Sequence, residues 1–147
     1  MRRIYLQLVL VVVALTVLDG CAYRRAAPEQ VDAAMKEFPT RADAATIYVY
    51  RTIYDRRERG TTLFIDGQLV GNTRSGTYFR LDVVPARHVL HGASLDAGEL
   101  AIYARPGHIY YVRHEVVAGH SRFSLERDDV ARDQIRACCR MLTAVRG

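Results

Sequence analysis

A mainly β fold is predicted from three features of the 147-residue sequence: an antiparallel sandwich of about seven short strands, closed by a C-terminal amphipathic helix. From Thr46 to Glu126, apolar and polar residues alternate with the period of a strand. Turn signals recur about every 8–12 residues, the spacing of sandwiches and barrels. Helical spacing of apolar residues is confined to the two ends, so no helix stands between strands, which excludes a parallel α/β arrangement.

The chain opens with Met1-Arg2-Arg3, a short basic start, and residues 4–18 are an almost unbroken apolar run ending at Asp19. That is the pattern of a secretory signal peptide. The run is short of the roughly 20 apolar residues that a permanent membrane span requires. "LDGC" (18–21) resembles the lipobox of bacterial lipoproteins, with Leu18 three positions before the cysteine and Gly20 directly before it. The resemblance implies that Cys21 is acylated (palmitate is the expected chain type), that the chain is cut before it, and that the new amino terminus is acylated in turn. Asp19 departs from the small or hydroxylated residue usual there. Two or three acyl chains exceed the single chain that gives only marginal, reversible binding. Cysteine arithmetic agrees: three cysteines in an exported chain leave one over. Acylation of Cys21 accounts for it. The chain thus divides into a signal peptide (1–20), a tether with one short helix (21–45) and a sandwich domain with its closing helix (46–147).

In the tether, Pro28 and Glu29 open a helix whose apolar stripe is Val31, Ala34, Met35 and Phe38, and Pro39 ends it. That stripe can rest on the domain or on a membrane surface. "TIYVYRT" (46–52) puts Ile47 and Val49 on one face and Tyr48 and Tyr50 on the other. "TTLFIDGQLVG" (61–71) carries Asp66-Gly67 between apolar runs, a strong hairpin signal. In "TYFRLDVV" (77–84), Phe79, Leu81 and Val83 point inward and Tyr78, Arg80 and Asp82 outward. Strands at 87–93 and 99–104 follow, Pro106-Gly107 turns the chain into 108–115, and 121–126 is the last strand.

Asp128 or Asp129 then caps a helix running to about Val145. Ala131, Ile135, Cys138, Leu142 and Val145 form its apolar stripe; Asp129, Arg132, Asp133, Arg136 and Arg140 lie opposite. This predicts a buried, inert Cys138 and a more accessible Cys139, both reduced; a redox-responsive pair is the alternative.

Chemistry is sparse. His88 and His91 are three apart on a strand and face opposite ways, and His108 and His114 are about 20 Å apart along theirs. These read as ordinary surface histidines, so no metal site and no cofactor are expected. Ser75 and Ser121 lack a G-x-S-x-G elbow, though triads are recognised by geometry rather than spacing. No glycine-rich phosphate loop occurs. Nine tyrosines and no tryptophan could form a ligand platform, but half-buried strand packing is the better reading. The formal charge of +5 drops by one as Arg2, Arg3 and Asp19 leave. No basic cluster is interleaved with aromatics, so nucleic acid is a poor partner.

"KEFPTRADAATIYVYR" (36–51), "LFIDGQLVG" (63–71), "GTYFRLDVVPARHVL" (76–90) and "ARPGHIYYVR" (104–113) resemble a group of small bacterial lipoproteins. Their shared domain is catalogued as domain of unknown function 2846. The resemblance implies an all-β, sandwich-like domain without assigned catalytic residues. It departs at Pro85-Ala86, where the family favours glycine second, so the turn cannot need a strongly positive φ at Ala86. The resemblance therefore implies a lipid-anchored envelope protein facing the periplasm; in the Gram-negative lipoproteins that the chain resembles, aspartate after the acylated cysteine retains the protein at the inner membrane, so Ala22 implies the outer membrane. Its partners are membrane lipid, through acylated Cys21, and an envelope protein or cell-wall component; its work is binding or structural rather than enzymatic. The alternatives are a small hydrolase of cell-wall or lipid substrates and a carrier of a small apolar ligand.

Overall fold

The computed structural model describes residues 26–53, 60–93 and 98–145. The chain runs through α1 (Glu29–Met35), β1 (Ala45–Arg51), β2 (Thr61–Ile65), β3 (Gln68–Thr73), β4 (Thr77–Val83) and β5 (Arg87–Gly92). It continues through β6 (Glu99–Tyr103), β7 (Ile109–Val117), β8 (His120–Glu126), α2 (Asp128–Cys138) and β9 (Arg140–Met141). A five-stranded sheet, β8-β7-β1-β4-β9, faces a four-stranded sheet, β3-β2-β5-β6. The sandwich expected from the alternation is present, with one correction. The larger sheet is mixed, since β1 pairs parallel with β7 and β4 pairs parallel with β9. A parallel neighbour needs a long crossover. Between β1 and β7 the chain runs through β2, β3, β5 and β6 of the smaller sheet and β4 of the larger, with no helix among the described residues.

Two hairpins close on two-residue turns: Asp66 and Gly67 (φ 51° and 77°) and Ala118 and Gly119 (φ 52° and 83°). Positive φ at both positions is the I′ geometry, whose twist matches the strands it joins. Ala86 is not among the positive-φ residues. The sheets also touch at both flanks. Gly98 N donates to the Ser121 carbonyl (2.9 Å), joining the start of β6 to β8, and Val145 N donates to the Val70 carbonyl (2.8 Å), joining the C-terminal segment to β3.

The core between the sheets holds Ile47, Val49, Leu63, Val70, Phe79 and Leu90, among others. Phe79 is its keystone. Its ring lies so close to β3 that a β-carbon at Gly71 would stand 2.8 Å from the ring tip.

The expectation that Tyr78 points to solvent is overturned. Tyr48, Tyr50, Tyr78 and Tyr111, with Phe38, Ala131 and Ile135, form a second core on the far face of the large sheet, roofed by α1 and α2. Each buried phenol finds a partner there. Tyr48 donates to the Met35 carbonyl (2.8 Å), Tyr50 to Gln134 Oε1 (2.7 Å) and Tyr78 to the Asp32 carbonyl (3.3 Å); Tyr111 accepts from Arg132 Nε (2.9 Å). Burial pushes the Tyr48, Tyr50 and Tyr111 hydroxyls up to about 12. Phe38 sits between the Arg132 and Arg136 guanidinium groups, each 5.1 Å from its centroid.

The helices differ from their apolar stripes. In α1, Val31 and Ala34 are exposed, and Asp32 is the buried residue. Its carboxylate accepts from Met141 N (2.8 Å) and pairs with Lys36 (3.0 Å). Burial alone would raise its pKa, but these partners hold it below the usual range. α2 ends at Cys138, not near Val145, because the next residues pair with β4. An unpaired edge of β4 offers backbone hydrogen bonds that a continuing helix would leave unmade. Cys139 is therefore extended (φ −111°, ψ 142°), and the cysteine assignments reverse: Cys139 is buried and Cys138 half-buried. Nor are they apart and reduced, since the structure joins the two sulfurs as a disulfide.

From Ala26 the chain already rests on the domain, with Ala26 bridging Leu142 and Ala27 N donating to the Met141 carbonyl (2.9 Å).

Phe79→Ala is expected to cost about 3–5 kcal/mol in chemical denaturation, and the exposed Leu125→Ala within about 0.5 kcal/mol. Comparable small effects would mean that the faces of β4 are assigned wrongly. After reduction of the native protein, iodoacetamide should label Cys138 ahead of Cys139; the opposite order would contradict their burial.

Candidate functional site: a sealed polar end and an open apolar groove

The space between the sheets has two unlike ends. At one end the inward positions turn polar. Arg51 follows Ile47 and Val49 along β1, His114 follows Val112 on β7, and Ser121 precedes Phe123 on β8, with Thr73 ending β3. All four are buried. The Arg51 guanidinium reaches the Thr73 carbonyl (3.5 Å). Thr73 Oγ1 donates to the Thr61 carbonyl (3.1 Å), so towards His114 it can only accept. His114 Nδ1, 3.2 Å away, therefore carries the ring proton. Nε2 is left as an acceptor for the Ser121 hydroxyl at 3.0 Å.

This polarity is that of a hydrolase serine and its base, which is the arrangement the rival reading requires. The electrostatics oppose it. A general base must carry positive charge as the serine proton arrives. His114 has a threonine hydroxyl where triads place a carboxylate, and burial, reinforced by the Arg51 charge, pushes its pKa down to about 3. Its imidazole also stacks on Phe123, centroids 4.3 Å apart. The chain Thr61–Thr73–His114–Ser121 satisfies buried polar groups and ties β2 and β3 across to β7 and β8.

The opposite end is open. Ile65, Leu69 and Val70 of the first hairpin, Leu81 of β4, and Ala144 and Val145 line a groove of about 390 Å3, with Gln68 as its polar member. Ile65, Leu81, Val83 and Tyr110 extend the inter-sheet core to this rim and stay partly uncovered. The same end carries a clamp. His88 Nδ1 meets Asp66 Oδ2 at 2.6 Å and Nε2 meets the Val84 carbonyl at 2.8 Å, while Asp66 Oδ1 accepts from Val89 N (2.8 Å). Both ring nitrogens face acceptors, so the cation is the bonded form. Burial would lower the His88 pKa, but Asp66 and Val84 outweigh it and raise it above 6.5.

Of the expected site residues, Cys21 lies outside the described residues. His88 and His114 are not surface histidines, whereas His108 is exposed and His91 stacks on Phe64 (4.9 Å). Ser75 donates to the Thr52 carbonyl (2.9 Å). Among the described residues no three His, Cys, Asp or Glu side chains converge as a metal set. A signal for the His114–Ser121 contact was present: a two-residue turn at Ala118-Gly119 fixes the register His114↔Phe123, placing Ser121 diagonally opposite on the same face.

A family model for proteins of unknown function, DUF2846, matches residues 41–125. No curated protein and no solved structure matches the chain. The matched stretch covers β1 to β8 and leaves α1, α2 and β9 outside.

The histidines give a pH signature. His114, depressed below 6.5, withholds a proton that the unfolded chain takes up, so its contribution to stability is full above pH 6.5 and falls as pH drops towards 3. His88, raised, contributes fully below pH 6.5 and loses this as pH rises through its folded pKa. Nitrogen-15 spectra at pH 5 should show a neutral Nδ1–H tautomer for His114 and a cation for His88. A cationic His114 at pH 5 would overturn the network. His88→Gln should lower stability more at pH 6 than at pH 9; an equal loss at both would remove the clamp.

Proposed function

We propose that this chain, which belongs to the DUF2846 family of proteins of unknown function, is a lipid-anchored cell-envelope protein whose sandwich serves binding rather than catalysis. The observation that carries this reading joins the sequence to the fold. The basic start, apolar run and "LDGC" end at Cys21, and the packed domain begins at Ala26. Five residues span at most about 18 Å. The domain therefore rides close to the bilayer, not at the end of a 25-residue leash. Such confinement raises the effective concentration of a partner in the same membrane or the adjoining wall, so a weak contact suffices. The buried, poorly basic His114 weighs against the hydrolase alternative. The apolar groove favours a second reading, in which the sandwich holds an apolar ligand.

On this reading the chain is cut between Gly20 and Cys21, and Ala22 directs it to the outer membrane with the domain in the periplasm. Cys21→Ser should leave the precursor uncut or release the protein from membranes. Mature protein that stays membrane-bound with an unmodified Cys21 would refute the anchor. Density-gradient recovery only with inner membranes would refute the sorting.

A further inference from the structure

The groove at the open end lies beside the point where the chain enters the fold. Ala27 and Ala26 run antiparallel to the C-terminal segment, opposite Met141 and Leu142. Ala144 and Val145, which follow directly on that paired segment, form one wall of the groove. Val145 lies three residue steps beyond Leu142, about 10 Å of extended chain, and the five steps from Ala26 to Cys21 reach at most about 18 Å. That length is enough for Cys21 to reach the groove and little more.

We propose that the groove holds one of the acyl chains carried by Cys21. This rests on the lipid-anchor reading. The lining suits such an occupant, being six aliphatic side chains with the single amide of Gln68. Its volume of about 390 Å3 lies within the usual range of small-ligand sites, roughly 300–1,000 Å3. The occupant needs no capture from solution, because a short covalent link holds it at high local concentration. With three acyl chains, anchorage survives the loss of one to the groove, since the two that remain still exceed the marginal single-chain case. The surroundings fit the bilayer side of the molecule. Val84 and Tyr103 are 69% and 72% exposed near this end, with Arg87 and Arg105 exposed close by. Apolar and aromatic side chains beside arginines suit an interface with anionic headgroups.

The test uses full-length protein made in cells fed a diazirine-bearing palmitate analogue, purified in detergent and irradiated. Mass analysis of the mature protein first establishes whether Cys21 carries the analogue. The expected result is an acylated Cys21 crosslinked within one molecule to peptides containing Leu69, Leu81 or Val145. Leu81→Arg and the more exposed Val145→Glu should stay acylated and lose these crosslinks. Acylated protein without groove crosslinks would overturn the proposal. So would equal groove labelling of analogue-free protein by vesicles of diazirine-bearing phosphatidylethanolamine, which would assign the groove to a membrane lipid. An unacylated Cys21 would overturn the anchor reading and this inference together, and the mass separates that failure from the others.

Discussion

Every residue of β1 is buried, on both faces of its strand, and the rest of the molecule is arranged around that constraint. Its neighbours β4 and β7 hold it antiparallel on one side and parallel on the other. Ile47 and Val49 require a second sheet to cover them; Tyr48 and Tyr50 require a third layer on the other side. A two-layer sandwich would leave the tyrosine face in water. The helices are thus structural necessities, and the choice of tyrosine over phenylalanine follows. Each ring packs against its neighbours, with Tyr48 5.6 Å from Tyr111 and 5.8 Å from Tyr78, while each hydroxyl reaches up to a helix. A hydroxyl buried without a partner costs about 1–3 kcal/mol. The phenols therefore fix where α1 and α2 can sit: Tyr48 and Tyr78 hold the first, Tyr50 and Tyr111 the second.

This explains which parts of the fold were legible in the sequence. Local signals carried the Asp66-Gly67 hairpin, the inward set Phe79, Leu81 and Val83, and the α2 contacts Ala131 and Ile135. Alternation reads one face as core and the other as solvent, and a tyrosine fits either reading. Tyr78 was therefore assigned outward although its face is covered. The pairing of β1 with β7 joins residues about 60 positions apart and leaves no local mark. α1 docks through Asp32, a carboxylate that no apolar-stripe criterion selects. The end of α2 at Cys138 is a tertiary effect, because helical spacing continues through Leu142 while the open edge of β4 takes the chain away.

Legibility was lower for the site, again for reasons of geometry. The serine–histidine contact depends on the register across Ala118-Gly119, a pairing less diagnostic than Asn-Gly or Asp-Gly because Ala118 must adopt a positive φ. Once formed, its protonation is decided by what surrounds it. Burial and Arg51 disfavour the imidazolium, and no side chain within hydrogen-bond reach of Nδ1 offers compensating charge. Hydrogen-bond geometry alone would have named this a catalytic pair. Burial and the Arg51 charge, which lower the His114 pKa, suit a structural crosslink better than a general base.

The contrast between the two ends of the sandwich is the more informative feature. A closed domain of this size gains stability by covering both ends of its inter-sheet core. At one end the inward positions are buried, hydrogen-bonded polar groups, and Ser121 and Phe123 there also line a surface pocket of about 500 Å3 with Gly98, Val117 and His120. At the other the core simply runs out to Ile65, Leu81 and Val83, with the His88–Asp66 pair bracing the rim. That charge-assisted bond ties the turn of the first hairpin to β5 within the smaller sheet. The residues closing one side of the mouth, Ala144 and Val145, lie beyond the stretch that matches the family, on the segment against which the N-terminal chain enters. The place where Ala26 and Ala27 join the C-terminal segment and the opening of the core thus belong to one edge of the molecule, opposite the edge where β8 meets β6.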